Sequence, residues 1–360
     1  MKKLIYYSYV TMGCDPEFFF TRDGQIIGSE KVLDKELVIS NGKFVKDGVQ
    51  AELNPSYSNC RAILGSNIRS SFKQLFDKIS DDKSLNIDFS PMITVTNEEL
   101  QSLGEDSRVL GCNPSKSAHK SVKSGIRVNP VTYLKRSAGG HVHFGSQNSK
   151  EIEQAIKRPE EVIPLLDYVL GNTCVMIDTD PANRERRKVY GRAGEYRVTK
   201  FGLEYRTLSN FWLRSYQLMS MVFGFGRMAV QMVANYDRYE NYLRDLKKLV
   251  PMSSIIKAIN NNDRDLAYKN FKKIEDLLTY ISTPDKFIQP HDHWFPLMDY
   301  NLKEFHHFID KGSDYWFNKN PLENWFKISK KDGTLGFENF LQRPVNYDMS
   351  GKTKYKIDNF

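Results

Sequence analysis

Residues 190–212 read YGRAGEYRVTKFGLEYRTLSNFW, two strand-like pieces separated by a Lys200-Phe201-Gly202 turn. Each piece carries an acid and an arginine two positions apart, Glu195 with Arg197 and Glu204 with Arg206. Side chains alternate across a strand, so each pair projects from one face. A single such couple reads as a solvated surface ion pair, which stabilises little. Two in tandem, preceded by Arg192 and flanked by Gly191, Gly194 and Gly202, read as a hairpin with a ligand-facing polar side. Arginine forks suit phosphate or carboxylate, and glycine lets a ligand approach the backbone closely.

Moving outward, the same period of two recurs. Ser137 to Gly145 reads SAGGHVHFG, which puts His141 and His143 on one strand face and Val142 and Phe144 on the other. Imidazoles on a Gly-flanked strand suit metal or phosphate, although a pair of surface histidines has the same spelling. Near the start, GCDPEFFF runs from Gly13 to Phe20 and sets Asp15 and Glu17 against three phenylalanines, before a TRDG turn over 21–24. Carboxylates beside apolar residues are costly unless neutralised, and a hard divalent cation would do so. The alternative is a turn-capping Asp15 with a solvated Glu17. Residues 49–55, VQAELNP, give another strand with Gln50, Glu52 and Asn54 on its polar side.

Strands buried on one side should be apolar there. Several strands that each keep one polar face therefore predict one curved antiparallel sheet whose concave side is wet and holds a ligand. Helices are expected over 66–79, 151–157 and 161–176, and a long apolar one over 215–235 that Gln217, Arg227 and Gln231 mark as a buried helix rather than a membrane span. A strand is expected over 85–95, and residues 213–280 are expected to be mainly helical. The Gly224-Phe225-Gly226 break is a candidate kink. The basic run Arg184 to Lys188 reads either as a loop closing over polyphosphate or as a solvated loop.

The chain has 360 residues, 27% charged and 40% hydrophobic, with net charge +8, enough to bury a sizeable core and inclined towards acidic partners. Its four cysteines, Cys14, Cys60, Cys112 and Cys174, show no CxxC spacing, which disfavours a thiolate zinc site or a disulfide scaffold and suits a reducing cytoplasm. No GxxxxGK[ST] P-loop is present, so any nucleotide is held differently. His119, His291, His293, His306 and His307 are read as structural, His119 as a surface residue.

Taken in order, GCDPEFF, AELNP, GGHVHFG and YGRAGEYR…GLEYRTLSNFW resemble the phage-encoded carboxylate–amine ligases, or amidoligases, of the glutamine synthetase-like superfamily. The resemblance spans about residues 13–212 and implies an α+β fold, a strongly curved glutamine synthetase-like antiparallel sheet backed by helices, with ATP and two or more Mg²⁺ or Mn²⁺ ions in its hollow. It implies that Glu17, Glu52, His141 and Glu204 are metal ligands with Asp15 close by. His143 would contact nucleotide, and Arg192, Arg197 and Arg206 would hold the transferred phosphoryl group and the substrate carboxylate. Glu195 would be the base that deprotonates the amine. Family members offer two further acids where only Glu52 is recognisable here, and Asn113 and Ser115 stand where an acid is usual after the GCxP segment.

The expected organisation is a catalytic domain over 1–245 and a mostly helical extension over 246–360 packed on it. The expected activity is an ATP- and Mg-dependent, ADP-forming carbon–nitrogen ligation through an acyl phosphate, in the cytoplasm (a host's, if phage-encoded). Small-molecule or peptide carboxylates and amines are the expected partners, with nucleic acid open and no membrane. Arg206→Ala is expected to abolish ADP formation without unfolding the protein. The alternatives are a metal-dependent hydrolase using the same histidines and acids, or a non-catalytic basic nucleic-acid- or virion-associated protein that keeps the fold.

Overall fold

The computed structural model describes residues 9–33, 36–102, 115–122, 128–129, 132–234 and 236–282, together with 305, 306, 309 and 325. Cys112, Asn113, His291, His293 and His307 lie outside the described residues.

The strands are β1 (Val10–Cys14), β2 (Glu17–Arg22), β3 (Gln25–Ile27), β4 (Glu36–Ile39), β5 (Gly42–Asp47), β6 (Gln50–Pro55), β7 (Leu85–Asp88), β8 (Met92–Thr94), β9 (Lys116–Ser117), β10 (Lys135–Ser137), β11 (Val142–Ser146), β12 (Glu195–Thr199) and β13 (Gly202–Tyr205). They form a strongly curled antiparallel half-barrel backed by helices. One part runs β1-β11-β13-β12-β9; the other runs β3-β2-β6-β5-β4 with β7 also on β2; β8 and β10 pair separately. The chain passes from one part to the other at Asp15-Pro16, between β1 and β2. The join is stitched by backbone bonds from Leu53 N to Pro16 O (3.0 Å) and from Met12 N to Ser58 O (2.7 Å).

Alternation explains the three consecutive phenylalanines. Phe18 and Phe20 enter the main core, where Phe18 meets Phe44, Phe72 and Phe89 edge-on. Phe19 points the other way, into a small second cluster with Val49, Val95, Leu100 and Ala138. Both faces of β2 are thus buried from Glu17 to Phe20. The expected strand over 85–95 is two strands, β7 and β8, broken at Phe89 to Pro91 because the first pairs with β2 and the second with β10.

The helices are α1 (Arg61–Ile79), α2 (Asn97–Ser102), α3 (Lys150–Ile156), α4 (Pro159–Leu166), α5 (Asn172–Ile177), α6 (Ala182–Val189), α7 (Tyr216–Ala234), α8 (Tyr236–Leu249), α9 (Met252–Asn260) and α10 (Arg264–Ser282). A π-helical turn over Asp167–Gly171 joins α4 to α5, and residues 162–177 are buried on every side rather than on one stripe. Helix α7 continues through Gly224 and Gly226. A Cβ on Gly226 would lie 2.2 Å from the Phe144 ring, so that glycine serves packing against β11. One core runs from Val10 through Leu246, Ile255 and Leu278 to Trp325, so the helices beyond residue 246 share the sheet's core. No described helix is long and apolar enough to cross a membrane.

The basic run at Arg184 to Lys188 is helix α6, not a loop. Arg186 and Arg187 are buried and turn inward. Arg186 donates to the carbonyls of Ala138 (3.1 Å), Thr207 (3.2 Å) and Leu208 (2.7 Å), and Arg187 to Thr207 (2.6 Å) and Gly191. These two cations satisfy backbone acceptors and tie the Gly-Gly-His segment to the end of the hairpin.

Candidate active site

The registers align a polar row across four strands. Gly13 on β1 stands opposite His143 on β11, His143 opposite Glu204 on β13, and Glu204 opposite Arg197 on β12. Asp15 continues β1 on the same face. Its Oδ1 lies 2.9 Å from His143 Nε2 and 3.2 Å from His141 Nδ1, and its Oδ2 lies 3.7 Å from Arg197 Nη2. Glu204, fully buried, is clasped by Arg197 Nε at 2.5 Å and by Arg206 Nη1, with His141 Nδ1 3.5 Å away.

On the other part of the sheet, Glu17 on β2 stands opposite Glu52 on β6. Glu17 is pinned on both sides of Gly139: its N–H donates to Gly139 O at 2.8 Å, and its Oε2 accepts Gly139 N at 2.6 Å. Glu52 accepts Asn54 Nδ2 at 2.7 Å. Asp47, at the end of β5, joins them, because the β5–β6 register puts Asp47 opposite Gln50 and so on the face that carries Glu52. Glycine is required at 140, where a Cβ would lie 2.1 Å from Ser209 O, and Trp212 Nε1 closes the approach by donating to Gly140 O at 3.0 Å.

The two groups, Asp15/His143/Glu204 and Glu17/Asp47/Glu52, each bring candidate ligand atoms within 4.8 Å of one another. Their electrostatics differ. Burial penalises the Asp15 carboxylate, yet the two imidazoles beside it outweigh burial and hold its pKa below the ordinary range. Asp15 in turn outweighs the burial of His143 and raises that imidazole. Burial, then repulsion from Asp47, pushes Glu17 well above the usual carboxylate value. Burial followed by repulsion from Asp15 takes Asp47 to about 6 and Glu52 to about 8. Burial and then Arg206 lower His141, against the pull of Asp15 and Glu204.

Three acids that repel one another in a protected hollow are stable as carboxylates only beside a cation. His141 Nδ1 is buried, has no aligned hydrogen bond and faces two carboxylates. The oxygen-rich donor set and this orphaned nitrogen both fit a hard divalent ion such as Mg²⁺ or Mn²⁺.

Of the residues singled out from sequence, Asp15, Glu17, Glu52, His141, His143, Arg197, Glu204 and Arg206 converge. Glu195 lies beside them, buried, with its backbone oxygen bonded to Arg206 N (3.0 Å) and its Oε2 accepting Gly191 N (2.9 Å); burial raises its pKa. Arg192 directs Nε at 3.0 Å to Arg187 O and Nη2 to Lys188 O, uses that brace the backbone after α6.

The family model described as phage phiEco32-like COOH.NH2 ligase-type 2 matches residues 118–305, just over half of the chain. The chain belongs to this family. It is thus a member of a family of carboxylate–amine ligases, and the hollow just described is its candidate active site. The matched range holds β10 to β13 but not β1 to β6, so Asp15, Glu17, Asp47 and Glu52 come to the family's segment only through folding. No curated protein gives a significant match. Among solved structures, a novel glutamine synthase homolog aligns over 84% of this chain and 70% of its own, at 10% identity and TM-score 0.32. A bifunctional glutathione synthetase from Pasteurella multocida aligns over 85% of this chain and 53% of its own, at 10% identity and TM-score 0.39. At that distance neither likeness carries an argument.

Sequence reasoning missed Asp47. The signal was present, since Asp47-Gly48 ends a strand whose hairpin folds it back on VQAELNP, and the register follows from the turn. It also misplaced His119, which is buried rather than on the surface: its Nε2 meets Asp167 Oδ2 at 2.5 Å, while Tyr205 OH donates to Asp167 Oδ1 at 2.6 Å. No local pattern marks a partner that far along the chain. His306 pairs with Glu275 at 2.9 Å, away from these residues.

Proposed function

We propose that this carboxylate–amine ligase is ATP- and divalent-metal-dependent and ADP-forming, and that it joins its substrates through an acyl phosphate. The observation that carries this reading is the convergence of two acid-rich groups with Arg197 and Arg206 in one hollow. Glu17, Asp47 and Glu52, and separately Asp15, Glu204 and His141, would hold Mg²⁺ or Mn²⁺, which when bound offsets repulsion between a carboxylate and the polyphosphate.

Arg197 and Arg206 would hold the γ-phosphoryl oxygens and the substrate carboxylate, and His143 would donate to a nucleotide phosphate. A carboxylate oxygen attacks the γ-phosphorus, the β–γ bridging P–O bond breaks, and ADP leaves. The amine nitrogen then attacks the acyl carbon, the C–O bond to phosphate breaks, and inorganic phosphate leaves. Glu195 takes the proton lost by the incoming ammonium; its burial raises its basicity towards that task. Most of the acceleration then comes from positioning and charge compensation. Residues 1–245 would form the catalytic unit and 246–360 an extension of it, working in the cytoplasm on small-molecule or peptide substrates.

The test is thermal stability with ATP, with Mg²⁺, and with both. A ligand at a hundred times its dissociation constant stabilises by about 2.7 kcal/mol. A shift that needs both components, followed by ADP release with amine and carboxylate mixtures, supports the ligase. A shift with metal alone favours a metal-dependent hydrolase, and no shift under any condition sinks the nucleotide reading.

A further inference from the structure

The stretch that decides the fold ends in Ser209-Asn210-Phe211-Trp212, and Asn210 begins a 3₁₀-helical turn over Asn210–Arg214. None of the roles above uses Asn210, yet its side chain is fully buried. Nδ2 donates to two main-chain carbonyls, Glu17 O at 2.9 Å and Ser90 O at 3.3 Å. Two carbonyl oxygens can be met only by the NH₂ end of the amide, so its orientation is fixed. Oδ1 has no hydrogen-bond partner among the described residues. A buried acceptor left unmet costs free energy, which makes this amide expensive as mere packing.

Both carbonyls belong to segments that meet at residues 138 and 139. Glu17 N donates to Gly139 O at 2.8 Å, and Glu17 Oε2 accepts Gly139 N at 2.6 Å. Next to Ser90, Pro91 O accepts Ala138 N at 2.9 Å. Asn210 closes this ring of bonds. Glu17 is then held at its N–H, at its C=O and at one carboxylate oxygen. Its other oxygen, Oε1, has no hydrogen bond among the described residues, and Glu17 stands in one group with Asp47 and Glu52. A carboxylate fixed through one oxygen offers a cation one ligand atom in one place, which suits an ion of strict geometry.

We propose that Asn210 is a positioning residue: by fixing the Glu17 main chain where β2, the turn between β7 and β8, and Gly139 meet, it sets Glu17 to bind a divalent cation through Oε1 alone. The consequence for a cation rests on the metal reading above. The partner of Glu17 Oε2 is a main-chain N–H, which no side-chain change removes. Asn210 is the side chain through which the arrangement can be tested.

The experiment is a Mn²⁺ titration of the full chain, followed by electron paramagnetic resonance, on wild type, Asn210→Ala and Asn172→Ala. Glu17→Gln marks which bound ion belongs to this group. Asn172 is the matched control, a buried amide whose Nδ2 donates to Ala267 O at 3.0 Å where α5 packs on α10. Asn210→Ala is expected to bind Mn²⁺ about tenfold more weakly, the lower end of what losing a ligand's orienting partner costs. Asn172→Ala is expected to bind as wild type does. Equal affinity in Asn210→Ala and wild type overturns the proposal. So does an equal loss in both variants, which is what a purely structural amide would give.

Exchange of the Gly139 amide proton separates the contact from the metal reading. In metal-free protein it should be about tenfold faster in Asn210→Ala than in wild type. A wild type that takes up no Mn²⁺ refutes the metal reading; faster exchange in the variant then upholds the positioning contact, and unchanged exchange overturns it. If Asn210→Ala does not fold, the wild type decides. Coupling is reciprocal, so bound Mn²⁺ must slow exchange of the Asn210 side-chain amide protons. The same rate with and without Mn²⁺ overturns the proposal.

Discussion

Glu17 on β2 stands directly opposite Glu52 on β6, so one rung of an antiparallel ladder sets two carboxylates face to face, with Asp47 beside them. Like charges opposite one another on a sheet are destabilising unless something neutralises them. Their mutual repulsion makes this place a natural seat for a cation.

The pH dependence follows from the sign of these shifts. Asp47 at about 6, Glu52 at about 8 and the raised Glu17 all bind protons more tightly in the folded chain than in the unfolded one. Between the unfolded carboxylate value, about 4, and about 8 for Glu52, the folded state holds more protons. Stability from these groups is therefore present at the acid end and is lost as pH rises through that window. Metal-free protein is expected to melt lower at pH 8 than at pH 5.5, and Mn²⁺ should raise the melting temperature at pH 8 more than at pH 5.5. Scanning calorimetry with and without Mn²⁺ at both values checks this; equal metal-induced shifts would contradict it.

Asp47→Asn removes one of three mutually repelling acids. The metal-free variant is expected to be more stable than wild type at pH 8 by about 1 kcal/mol, the scale of a tenfold change in a carboxylate's proton affinity. Its Mn²⁺ affinity should fall by about tenfold or more. Urea unfolding and calorimetric titration measure the two effects, which must have opposite signs. A variant unchanged in both leaves Asp47 outside the cation group.

From sequence, Arg206→Ala is expected to abolish ADP formation without unfolding the protein. Burial adds a stability cost, because the variant strips Glu204 of one of two clasping arginines inside the core. Breaking a buried pair costs about 3–5 kcal/mol, and the low end applies here since Arg197 still faces Glu204. Arg206→Ala should lose both turnover and stability. Arg206→Lys should keep more stability while still losing turnover, since an ammonium lacks the fork. Urea midpoints alongside ADP release separate the two.

Arg186 satisfies three backbone carbonyls, those of Ala138, Thr207 and Leu208. Lysine at this position cannot reach all three. Arg186→Lys is expected to destabilise the protein by about 2–4 kcal/mol, from buried acceptors left unpaired at about 1–3 kcal/mol each. Denaturant unfolding is the measurement. A loss below about 0.5 kcal/mol, the scale of an ordinary surface change, would show that Arg186 is not holding those strands.

The wet face was legible in the sequence because a strand exposes alternate residues, and the period-two couples at Asp15/Glu17, His141/His143, Glu195/Arg197 and Glu204/Arg206 needed no partner to be seen. The local spelling thus determined a curved, polar-faced antiparallel sheet and most of the side chains lining it. It could not say which side chains meet. Arg192 and Arg206 look alike in YGRAGEYR and LEYR, yet one braces backbone carbonyls and the other lies buried against Glu204. The four cations of RERRK read as a loop, either closing over polyphosphate or solvated, and helix formation turned two of them into the core to pair carbonyls. Register and burial decided these outcomes. Register brings Asp47 to Glu52 and His143 to Glu204 across strands, and burial in a low-dielectric hollow then makes every charge depend on a neighbour that the linear chain does not place beside it.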